Sequence, residues 1–417
     1  MRPPETQAKQ VSSVPYDVLN ASEAREITAD NPLSFLRVSR SEIDLADDVN
    51  PYSDEVYQRA KANFERLQSE GVLTLENEPG LYVYQLQMGE QIQTSVVACC
   101  SIDEYDADLI KKHEKTRPDK ENDRTRHIIE LEAQTGLIFL CYRGTDEINA
   151  LVNEVTKSEP LYAFEAEDVN KNLIRNCIWK ISATDRLIEA FEKIPAIYIA
   201  DGHHRAASSS RARAAMRERN PAHTGAEEYN FVIAALFPAG QLKILAYNRV
   251  VKDLNGLSAE EFLQRVSESG FIITETDNSM PENPGEICVY LSGKWRKLMF
   301  NVQYFADPGV IESLDVSRLE NFILRPILGI EDVRTDKRID FVGGIRGSEE
   351  LEKLVDSHQW QVAFSMFPTT IEQLFQVSDL GEIMPPKSTW FEPKLRDGLL
   401  IHLISVDPNL KENQENI

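Results

Sequence analysis

The pattern of apolar and polar residues is clearest around position 200, where it predicts a strand followed at once by a helix. Residues 197–199 are β-branched or aromatic, which is typical of a buried strand. Strong helix formers dominate residues 205–216. Residues 201–205 are therefore predicted to form the junction between the two elements.

Apolar periodicity predicts further helices and strands on both sides of this junction. A helix is predicted over residues 56–67 with Gly71 as its stop, and another begins at a capping box formed by Ser258 and Glu261. The charged segment 103–126 is typical of a solvated helix and loop. Other predicted helices span residues 184–193, 316–328 and 371–377. Predicted strands span residues 33–38, 81–88, 94–100, 137–142, 286–291, 295–302, 362–366 and 399–404, and residues 231–237 are predicted to pair with 242–247.

The pattern also predicts how the chain divides. Its 417 residues suffice for two domains, or for one large catalytic domain with an extension. Residues 1–13 are expected to form a disordered leader and residues 14–253 a catalytic core. Residues 254–408 are expected to form a C-terminal α+β region that carries a proline-marked loop at 384–389, and residues 409–417 a mobile tail.

Composition narrows the class of protein. Apolar residues make up 42% of the chain, and 45 basic against 68 acidic residues give a net charge of -23. This balance disfavours nonspecific binding to duplex nucleic acid, whose phosphates attract cations. Neither a secretory signal nor an apolar run of about 18 residues occurs, so no membrane association is expected. Five cysteines without C-x-x-C spacing predict buried free thiols in a reducing cytoplasm.

The junction carries the residue types that phosphate binding requires. Gly202 lets the backbone approach a ligand closely, and the first turn of the following helix offers N–H groups and a partial positive charge. The imidazoles of His203 and His204 and the guanidinium of Arg205 add donors that match phosphate oxygens. On its own this stretch predicts a phosphate-binding turn.

A second group of polar residues precedes the junction. His113 and Glu114 begin like the zinc-binding helix of a metalloprotease, but Arg117 stands where the second histidine would be required. Adjacent histidines such as those at the junction seldom bind the same ion, so no transition-metal site is predicted. A glycine-rich turn at residues 343–347 is equally compatible with an ordinary connection and with a functional one.

A third group lies in the proline-marked loop. Its prolines stiffen the backbone, so Lys387, Ser388 and Thr389 are presented with little loss of entropy, although a solvated proline turn alone would look the same. Phosphoryl transfer needs cations and backbone donors on the phosphates, together with a carboxylate that takes the acceptor's proton. The junction and Lys387 could supply the cations and backbone donors, and Glu114 or Asp201 could supply the carboxylate.

Four motifs occur in order along the chain. They are Val-Pro-Tyr-Asp-Val at 14–18, His-Glu-Lys-Thr at 113–116, Ile-Ala-Asp-Gly-His-His-Arg at 199–205, and Met-Pro-Pro-Lys-Ser-Thr at 384–389 followed by Phe-Glu-Pro-Lys at 391–394. Together they resemble a bacterial domain-of-unknown-function family related to the SerK-like free serine kinases, within the ParB and sulfiredoxin superfamily. The resemblance runs from about residue 14 to residue 404. It implies an α+β fold, with a ParB/sulfiredoxin-like mixed α/β catalytic core and an additional C-terminal α+β block.

The resemblance also implies a reaction. A phosphoryl group would pass from ATP, ADP or pyrophosphate to the hydroxyl of free L-serine, giving O-phosphoserine in amino-acid metabolism, including cysteine biosynthesis. Mg²⁺ is expected with the phosphate donor. The implied catalytic residues are Glu114 and Asp201, the phosphate-binding ones are Gly202, His203, His204, Arg205 and Lys387, and those that hold the substrate are His113, Thr116, Ser388 and Thr389.

Other activities of the same superfamily fit this sequence less well. Sulfiredoxins carry a cysteine where this chain has His203, so the sulfur nucleophile of sulfinic-acid repair is missing. ParB-type relatives add a DNA-binding helical domain, which the acidic balance and the strand-rich C-terminal region do not resemble. A nucleotide-sensing protein without turnover is the first alternative, and a nucleic-acid-binding regulator is the second. The sequence leaves open the phosphate donor, the acceptor and the oligomeric state.

Overall fold

The computed structural model describes residues 1–301 and 308–405. Within these residues the helices are α1 (Ala8–Val11), α2 (Ala21–Thr28), α3 (Leu36–Ser39), α4 (Asp54–Ser69), α5 (Ile102–Asp106), α6 (Pro118–Leu131), α7 (Asp146–Val155), α8 (Asp185–Phe191), α9 (His203–Arg219), α10 (Ala259–Glu268), α11 (Asp315–Leu319), α12 (Gly347–Asp356) and α13 (Ile371–Asp379). The strands are β1 (Tyr82–Met88), β2 (Gln91–Ser101), β3 (Ile110–Lys111), β4 (Ala133–Gln134), β5 (Ile138–Tyr142), β6 (Tyr162–Glu167), β7 (Leu173–Lys180), β8 (Ile197–Asp201), β9 (Phe231–Pro238), β10 (Lys243–Leu245), β11 (Tyr247–Val251), β12 (Phe271–Glu275), β13 (Glu286–Leu291), β14 (Lys294–Phe300), β15 (Ile339–Gly343), β16 (Val362–Met366), β17 (Trp390–Glu392) and β18 (His402–Leu403). The predicted α+β class is confirmed, and the predicted tail at 409–417 lies outside the described residues.

The chain forms two compact units. The first unit comprises Met1–Lys111, Thr116–Leu242 and the described residues from Pro393 onward. The second unit comprises Lys112–Lys115 and Lys243–Glu392. These bounds differ from the expected division at residue 253, because the chain returns to the first unit near its end and the His-Glu pair belongs to the second unit.

The first unit is built on an eight-stranded mixed sheet with strand order β3-β8-β5-β9-β2-β1-β7-β6. Strands β3 and β8 run parallel, as do β5 and β9, whereas the remaining pairs are antiparallel. Strand β8 buries Tyr198, Ile199 and Ala200. Removing their apolar surface from water stabilises the strand by about 25 cal/mol per Å². The sheet thereby fixes the point at which the chain leaves β8 for Gly202 and α9.

The N-terminal segment is ordered, in contrast to the expected disordered leader. The Met1 amino group donates a 2.6 Å hydrogen bond to the Ile401 carbonyl, and Ser13 pairs with Asp397 in an antiparallel bridge. Met1 and Val11 lie in a core cluster with apolar residues of α4. A few apolar side chains in an otherwise polar stretch are therefore enough to anchor it.

The second unit is built on a six-stranded antiparallel sheet with strand order β12-β14-β13-β16-β11-β15, together with the two-stranded sheet β10-β17. Its core cluster contains Val250, Cys288, Trp295 and Leu351. Strands β13 and β14 pair with each other as an antiparallel hairpin.

Several predicted local features are confirmed. In the capping box of α10, the Ser258 hydroxyl accepts from the Glu261 N–H, and the Glu261 carboxylate accepts from the Ser258 N–H. Helix α4 ends before Gly71, whose φ of 69° lies in the left-handed region that glycine tolerates. Capping and stop signals are readable because both partners lie within a few residues of each other.

Four predicted elements differ in the structure. Residues 33–38, predicted as a strand, overlap α3, because a short buried apolar run suits a helix as well as a strand. Residues 231–237 form β9 in the eight-stranded sheet, while their predicted partner forms β10 and pairs with β17. The predicted strand at 399–404 shortens to β18. The predicted helix at 316–328 starts as α11 and continues as a π-helical turn over Glu320–Leu324.

Two expectations drawn from composition concern the cysteines and the membrane. All five cysteines are free thiols, and Cys141, Cys177 and Cys288 are buried, whereas Cys99 is exposed and Cys100 is half-buried. The prediction of buried thiols therefore holds for three of the five. None of the helices in the described ranges combines the length and apolar composition needed to cross a membrane.

His402 in β18 makes the stability of the first unit depend on pH. Its Nε2 lies 2.8 Å from Glu228 Oε2, and its Nδ1 lies 3.3 Å from Gln134 Oε1. Burial lowers the pKa of His402, but its hydrogen bonds to Cys99 and Glu228 outweigh burial and raise the pKa to about 9. The folded chain therefore keeps a proton that the unfolded chain releases near pH 6.5.

We expect the contribution of His402 to the free energy of unfolding to fall as pH rises from about 6.5 to 9, by on the order of 1 kcal/mol once screening at the exposed Glu228 is allowed for. The Met1 amino group, whose pKa burial lowers to about 6, contributes with the opposite sign. His402→Gln should remove this contribution from the wild-type slope of unfolding free energy against pH, measured by urea denaturation across that range. His358→Asn, at an exposed histidine of the second unit, is the control and should keep the slope. A difference in the free energy of unfolding between wild type and His402→Gln that stays constant over the same range would contradict the assignment.

Candidate functional site

The predicted junction at residues 201–205 is formed by β8, Gly202 and the first turn of α9. Gly202 has a φ of 92°, which a residue with a Cβ adopts only with strain. It is the N-cap of α9, so no side chain at that position accepts from the first turn. The start of an α-helix presents N–H donors and the positive end of the helix dipole, which together favour an anion.

Asp201 and Lys394 form an ion pair at this turn. The Lys394 ammonium donates to Asp201 Oδ2, and the Gly202 N–H donates a 2.8 Å hydrogen bond to Asp201 Oδ1. Burial raises the pKa of the Asp201 carboxyl, but Lys394, the Gly202 N–H and His203 outweigh burial and hold the pKa below its ordinary value. The carboxylate is therefore ionised at neutral pH, and Lys394 brings to the turn a cation that the sequence analysis did not assign.

Arg205 is held by a buried carboxylate. Its Nη1 and Nη2 donate to Asp397 Oδ1 and Oδ2 at 3.0 and 2.9 Å, and the two side chains are 17% and 4% exposed. Burial raises the pKa of Asp397, and the Arg205 guanidinium opposes that shift. Gly136 makes room for the pair, because a Cβ there would lie 1.0 Å from Arg205 Nη1. The guanidinium predicted to bind phosphate is thus committed to a bidentate pair that fixes the start of α9.

The 14–18 motif meets the same turn. The guanidinium carbons of Arg124 and Arg205 lie 4.2 and 5.4 Å from the centroid of the Tyr16 ring. Burial raises the pKa of the Tyr16 hydroxyl to about 12, so it stays protonated. A cavity of about 40 Å³ joins three motifs at this turn, and its lining consists of Pro15, Asp17, Leu137, Phe139, Asp201, Gly202, Arg205, Lys394, Leu395 and Asp397.

The two imidazoles of the junction have different surroundings. His203 is buried, whereas His204 accepts a 3.0 Å hydrogen bond at Nε2 from the Arg117 N–H. That bond places the proton of a neutral His204 imidazole on Nδ1. Thr116, predicted to hold the substrate, donates its hydroxyl to Glu121 in the first turn of α6. A substrate contact at Thr116 would therefore require the release of that hydrogen bond.

The second unit contains the His-Glu pair and the proline-marked loop. The Met384 N–H donates a 2.9 Å hydrogen bond to the His113 carbonyl, and His113 Nε2 lies 3.3 Å from Thr389 Oγ1. His113 is buried and Glu114 is half-buried. Two motifs that lie 276 residues apart in sequence, counted from His113 to Thr389, are therefore direct neighbours in this unit.

Polar contacts hold the proline-marked loop in shape. The Ser388 hydroxyl donates to the Pro385 carbonyl at 2.6 Å, and the Thr369 hydroxyl donates to the Ser388 carbonyl at 2.8 Å. Lys387 has a φ of 57°, a left-handed conformation that a side chain adopts only when its surroundings enforce it. Ser388, predicted to contact the substrate, thus uses its hydroxyl within the loop.

Arg249 of β11 helps to hold the Lys387 backbone in this left-handed conformation. Its Nη2 donates a 3.0 Å hydrogen bond to the Lys387 carbonyl, and its Nη1 donates to the Tyr247 carbonyl. The residue is 3% exposed, and no carboxylate of the described residues forms a salt bridge with it. Burial lowers the pKa of Arg249 to about 10, and Glu320 opposes that shift. This buried cation fixes the Lys387 backbone while the Lys387 side chain remains exposed.

A cavity of about 350 Å³ lies in the second unit against these two motifs. Its volume falls at the lower end of the range of small-molecule sites, roughly 300–1,000 Å³. The lining consists of Glu114, Lys115, Ile311, Glu320, Arg325, Glu331, Asp332, Val333, Arg334, Ile383, Met384, Pro385 and Pro386. The predicted general base thus lines a cavity large enough for a metabolite.

The sequence analysis missed three residues that shape these sites. Lys394 had a readable signal, since it ends the motif at 391–394, but that motif was given no role. Asp397 and Arg249 carried no local signal, because their partners lie 192 and 138 residues away. Only the folded chain reveals such pairs.

Comparisons with known proteins give weak structural likenesses. No curated protein matches the chain significantly. Free serine kinase in complex with AMP is 13% identical, covers 71% of this chain and 86% of its own, and gives a TM-score of 0.36. A conserved hypothetical protein from Pyrococcus furiosus is 12% identical, with 71% and 90% coverage and a TM-score of 0.34. SbnI with C-terminal truncation from Staphylococcus aureus is 12% identical, with 76% and 93% coverage and a TM-score of 0.40. At these TM-scores the likeness carries no argument about function.

The comparison with family models, in contrast, shows the family of the chain. The model of the family described as "Protein of unknown function (DUF1015)" matches residues 1–317, which is more than half of the chain. The match confirms the predicted membership of a domain-of-unknown-function family, while the ParB/sulfiredoxin-like topology of the core stays a prediction. The chain belongs to the DUF1015 family.

Proposed function

We propose that this protein transfers a phosphoryl group from ATP, ADP or pyrophosphate to the hydroxyl of free L-serine. The observation that carries the proposal is the junction of β8 and α9, where the left-handed Gly202, a helix start and Lys394 meet. Backbone donors and a cation at one turn match the oxygens of a phosphate. The motif order that resembles the free serine kinases supports L-serine as the acceptor.

The proposal assigns the donor phosphates to the backbone at Gly202, to the first turn of α9 and to its imidazoles, His203 and His204. Lys394 exchanges its bond to Asp201 for a bond to a phosphate oxygen when the donor binds. The exchange is favourable because a phosphate group carries more negative charge than a carboxylate. Asp201 keeps its hydrogen bond from the Gly202 N–H and so holds the turn in shape.

Arg205 acts in this proposal as a positioning residue, because its guanidinium is engaged by Asp397. Its pair fixes the start of α9, so the backbone donors are aligned before the donor arrives and little reorganisation is needed. Lys387 keeps its predicted role on the moving phosphate, since its side chain is exposed on a loop whose backbone Arg249 holds.

A Mg²⁺ ion would enter with the donor phosphates. The carboxylates of Asp17 and Asp201 line the small cavity at the turn, and such oxygens are the ligands that Mg²⁺ prefers. Because Asp201 already accepts from Lys394 and Gly202, these residues fit an ion held mainly by phosphate oxygens and water. When bound, the ion would neutralise charge on the phosphates.

Glu114 is proposed as the general base. Its carboxylate would take the proton of the serine hydroxyl while the serine oxygen forms a bond to phosphorus and the bond from phosphorus to the leaving phosphate breaks. The leaving group is ADP, AMP or phosphate, according to the donor. His113 and Thr389 would orient the acceptor, while Ser388 supports the loop through its bond to Pro385.

A donor screen with product identification tests the proposal. Purified full-length protein with Mg²⁺ and L-serine is incubated with ATP, ADP or pyrophosphate, and products are followed by ³¹P NMR and mass spectrometry. The proposal expects O-phosphoserine from at least one donor, with release of the matching leaving group. The absence of phosphoserine with all three donors would overturn it.

A further inference from the structure

The 350 Å³ cavity of the second unit has a charge pattern that selects a particular class of ligand. Three cations and four carboxylates line it, so its net charge is close to zero although both signs are abundant. A nucleotide or a free phosphate would face the four carboxylates and be repelled. A ligand that carries one positive and one negative group would find partners for both.

We propose that this cavity binds a small zwitterionic α-amino acid. Arg325 and Arg334 would receive the carboxylate, Glu320 and Glu331 the ammonium group, and Glu114 would face the side chain. The inference rests on the proposed function only in taking L-serine as the first ligand, since the charge pattern itself fits any small amino acid.

A π-helical turn brings two of these residues together. The Arg325 N–H donates a 3.0 Å hydrogen bond to the Glu320 carbonyl, five residues earlier, in place of the usual spacing of four. The side chains of the two residues consequently meet, with Arg325 Nη2 3.1 Å from Glu320 Oε1. Such turns are rare and occur frequently at functional sites, where they re-aim side chains.

The ion pairs already present in the cavity leave its guanidinium groups available. Arg325 is 46% exposed and also lies 3.8 Å from Glu331, which is 79% exposed. Arg334 is 60% exposed and pairs with Asp332. Exposed pairs of this kind contribute little to stability, so a ligand can replace them with little loss.

The cavity also has an apolar side, and the backbone of that side is rigid. Pro385 and Pro386 line the cavity, and the hydrogen bond from the Met384 N–H to the His113 carbonyl holds Glu114 beside them. Fixed prolines reduce the entropy lost on binding. The cavity therefore combines mobile charged groups with a preformed apolar side.

The test is calorimetric titration of the full chain with L-serine, L-threonine and L-alanine, without any phosphate donor. Binding of at least one amino acid is expected, with L-serinamide, which lacks the carboxylate, and glycerate, which lacks the ammonium group, at least tenfold weaker. Arg325→Gln should weaken amino-acid binding at least tenfold. Arg265→Gln, at an exposed arginine of α10 outside the cavity, should leave it unchanged.

No binding of any of the three amino acids, or equal binding by wild type and Arg325→Gln, would overturn the inference. These failures are distinct from failure of the proposed function. Amino-acid binding without phosphoserine formation from any donor would retain the cavity assignment and reject the kinase. Phosphoserine formation with an unchanged KM for L-serine in Arg325→Gln would retain the kinase and reject the cavity assignment.

Discussion

Asp397→Asn is expected to lower the free energy of unfolding by about 3–5 kcal/mol, because it leaves the Arg205 guanidinium charged, largely buried and without its anionic partner. The loss should appear as a lower midpoint in urea denaturation followed by circular dichroism. Donor binding should weaken as well, since the start of α9 would no longer be fixed. The paired backbone of Ser13 and Asp397 is unaffected by the substitution, so the effect isolates the side chain.

The matched control is Asp119→Asn, which removes an aspartate of the same unit from an exposed pair with Arg117. Exposed pairs contribute about 0–1 kcal/mol, so the midpoint should scarcely move. The double variant Arg205→Met with Asp397→Leu should recover much of the stability, because no buried charge is then left unpaired. Equal losses in Asp397→Asn and Asp119→Asn would contradict the structural role of the buried pair.

Glu114→Gln is expected to reduce turnover by about 10²–10⁴-fold while leaving donor binding intact, because an amide cannot accept the serine proton. The rate is measured as phosphoserine formation at saturating donor, and donor affinity by calorimetry in the same preparation. A protein that only senses nucleotides would have no turnover to lose. The two readouts together therefore separate a kinase from the sensor that the sequence also allows.

Glu350→Gln serves as the control for this variant. Glu350 lies in α12 of the second unit, pairs with Lys353 and does not line the cavity. It should retain wild-type turnover. If Glu114→Gln also kept wild-type turnover, Glu114 would be excluded as the general base, and Asp201, whose carboxylate is ionised, would be the remaining predicted carboxylate.

The sequence predicted best where the determining interactions are local. The junction at Gly202 was found because a β-branched run, a glycine and strong helix formers follow one another within a few residues. Helix α9 begins two residues before Arg205, where the helical pattern was predicted to start. Strands β1, β5 and β16 and the capping box of α10 were predicted for the same reason.

Prediction failed where distant partners decide the structure. The strand after residue 242 leaves β9 to pair with β17, and the leader becomes ordered through contacts near residue 400. The bidentate pair of Arg205 with Asp397 was not predicted, because Asp397 carries no local signal. The π-helical turn at Glu320–Leu324 is likewise invisible to a search for helical periodicity.

The candidate site was likewise predicted only in part. The residues of the four motifs were named from the sequence by type and order, but the bonds that they make were not. His204, Thr116 and Ser388 each have a hydrogen-bond partner inside the protein, which leaves less of their polar capacity for a substrate. Lys394 emerged only from its bond to Asp201. Residue type therefore indicated the chemistry, and packing decided which groups can perform it.

The central claim is that the turn at Gly202 binds the phosphates of the donor, with Lys394 as its cation. Its most direct test is calorimetric titration of pyrophosphate with Mg²⁺ into wild type, Lys394→Met and Lys180→Met, the last of which breaks a comparable pair with Glu76 away from the turn. The account predicts binding by wild type and Lys180→Met, and binding at least tenfold weaker in Lys394→Met. Binding that is absent from wild type, or identical in all three proteins, would contradict it.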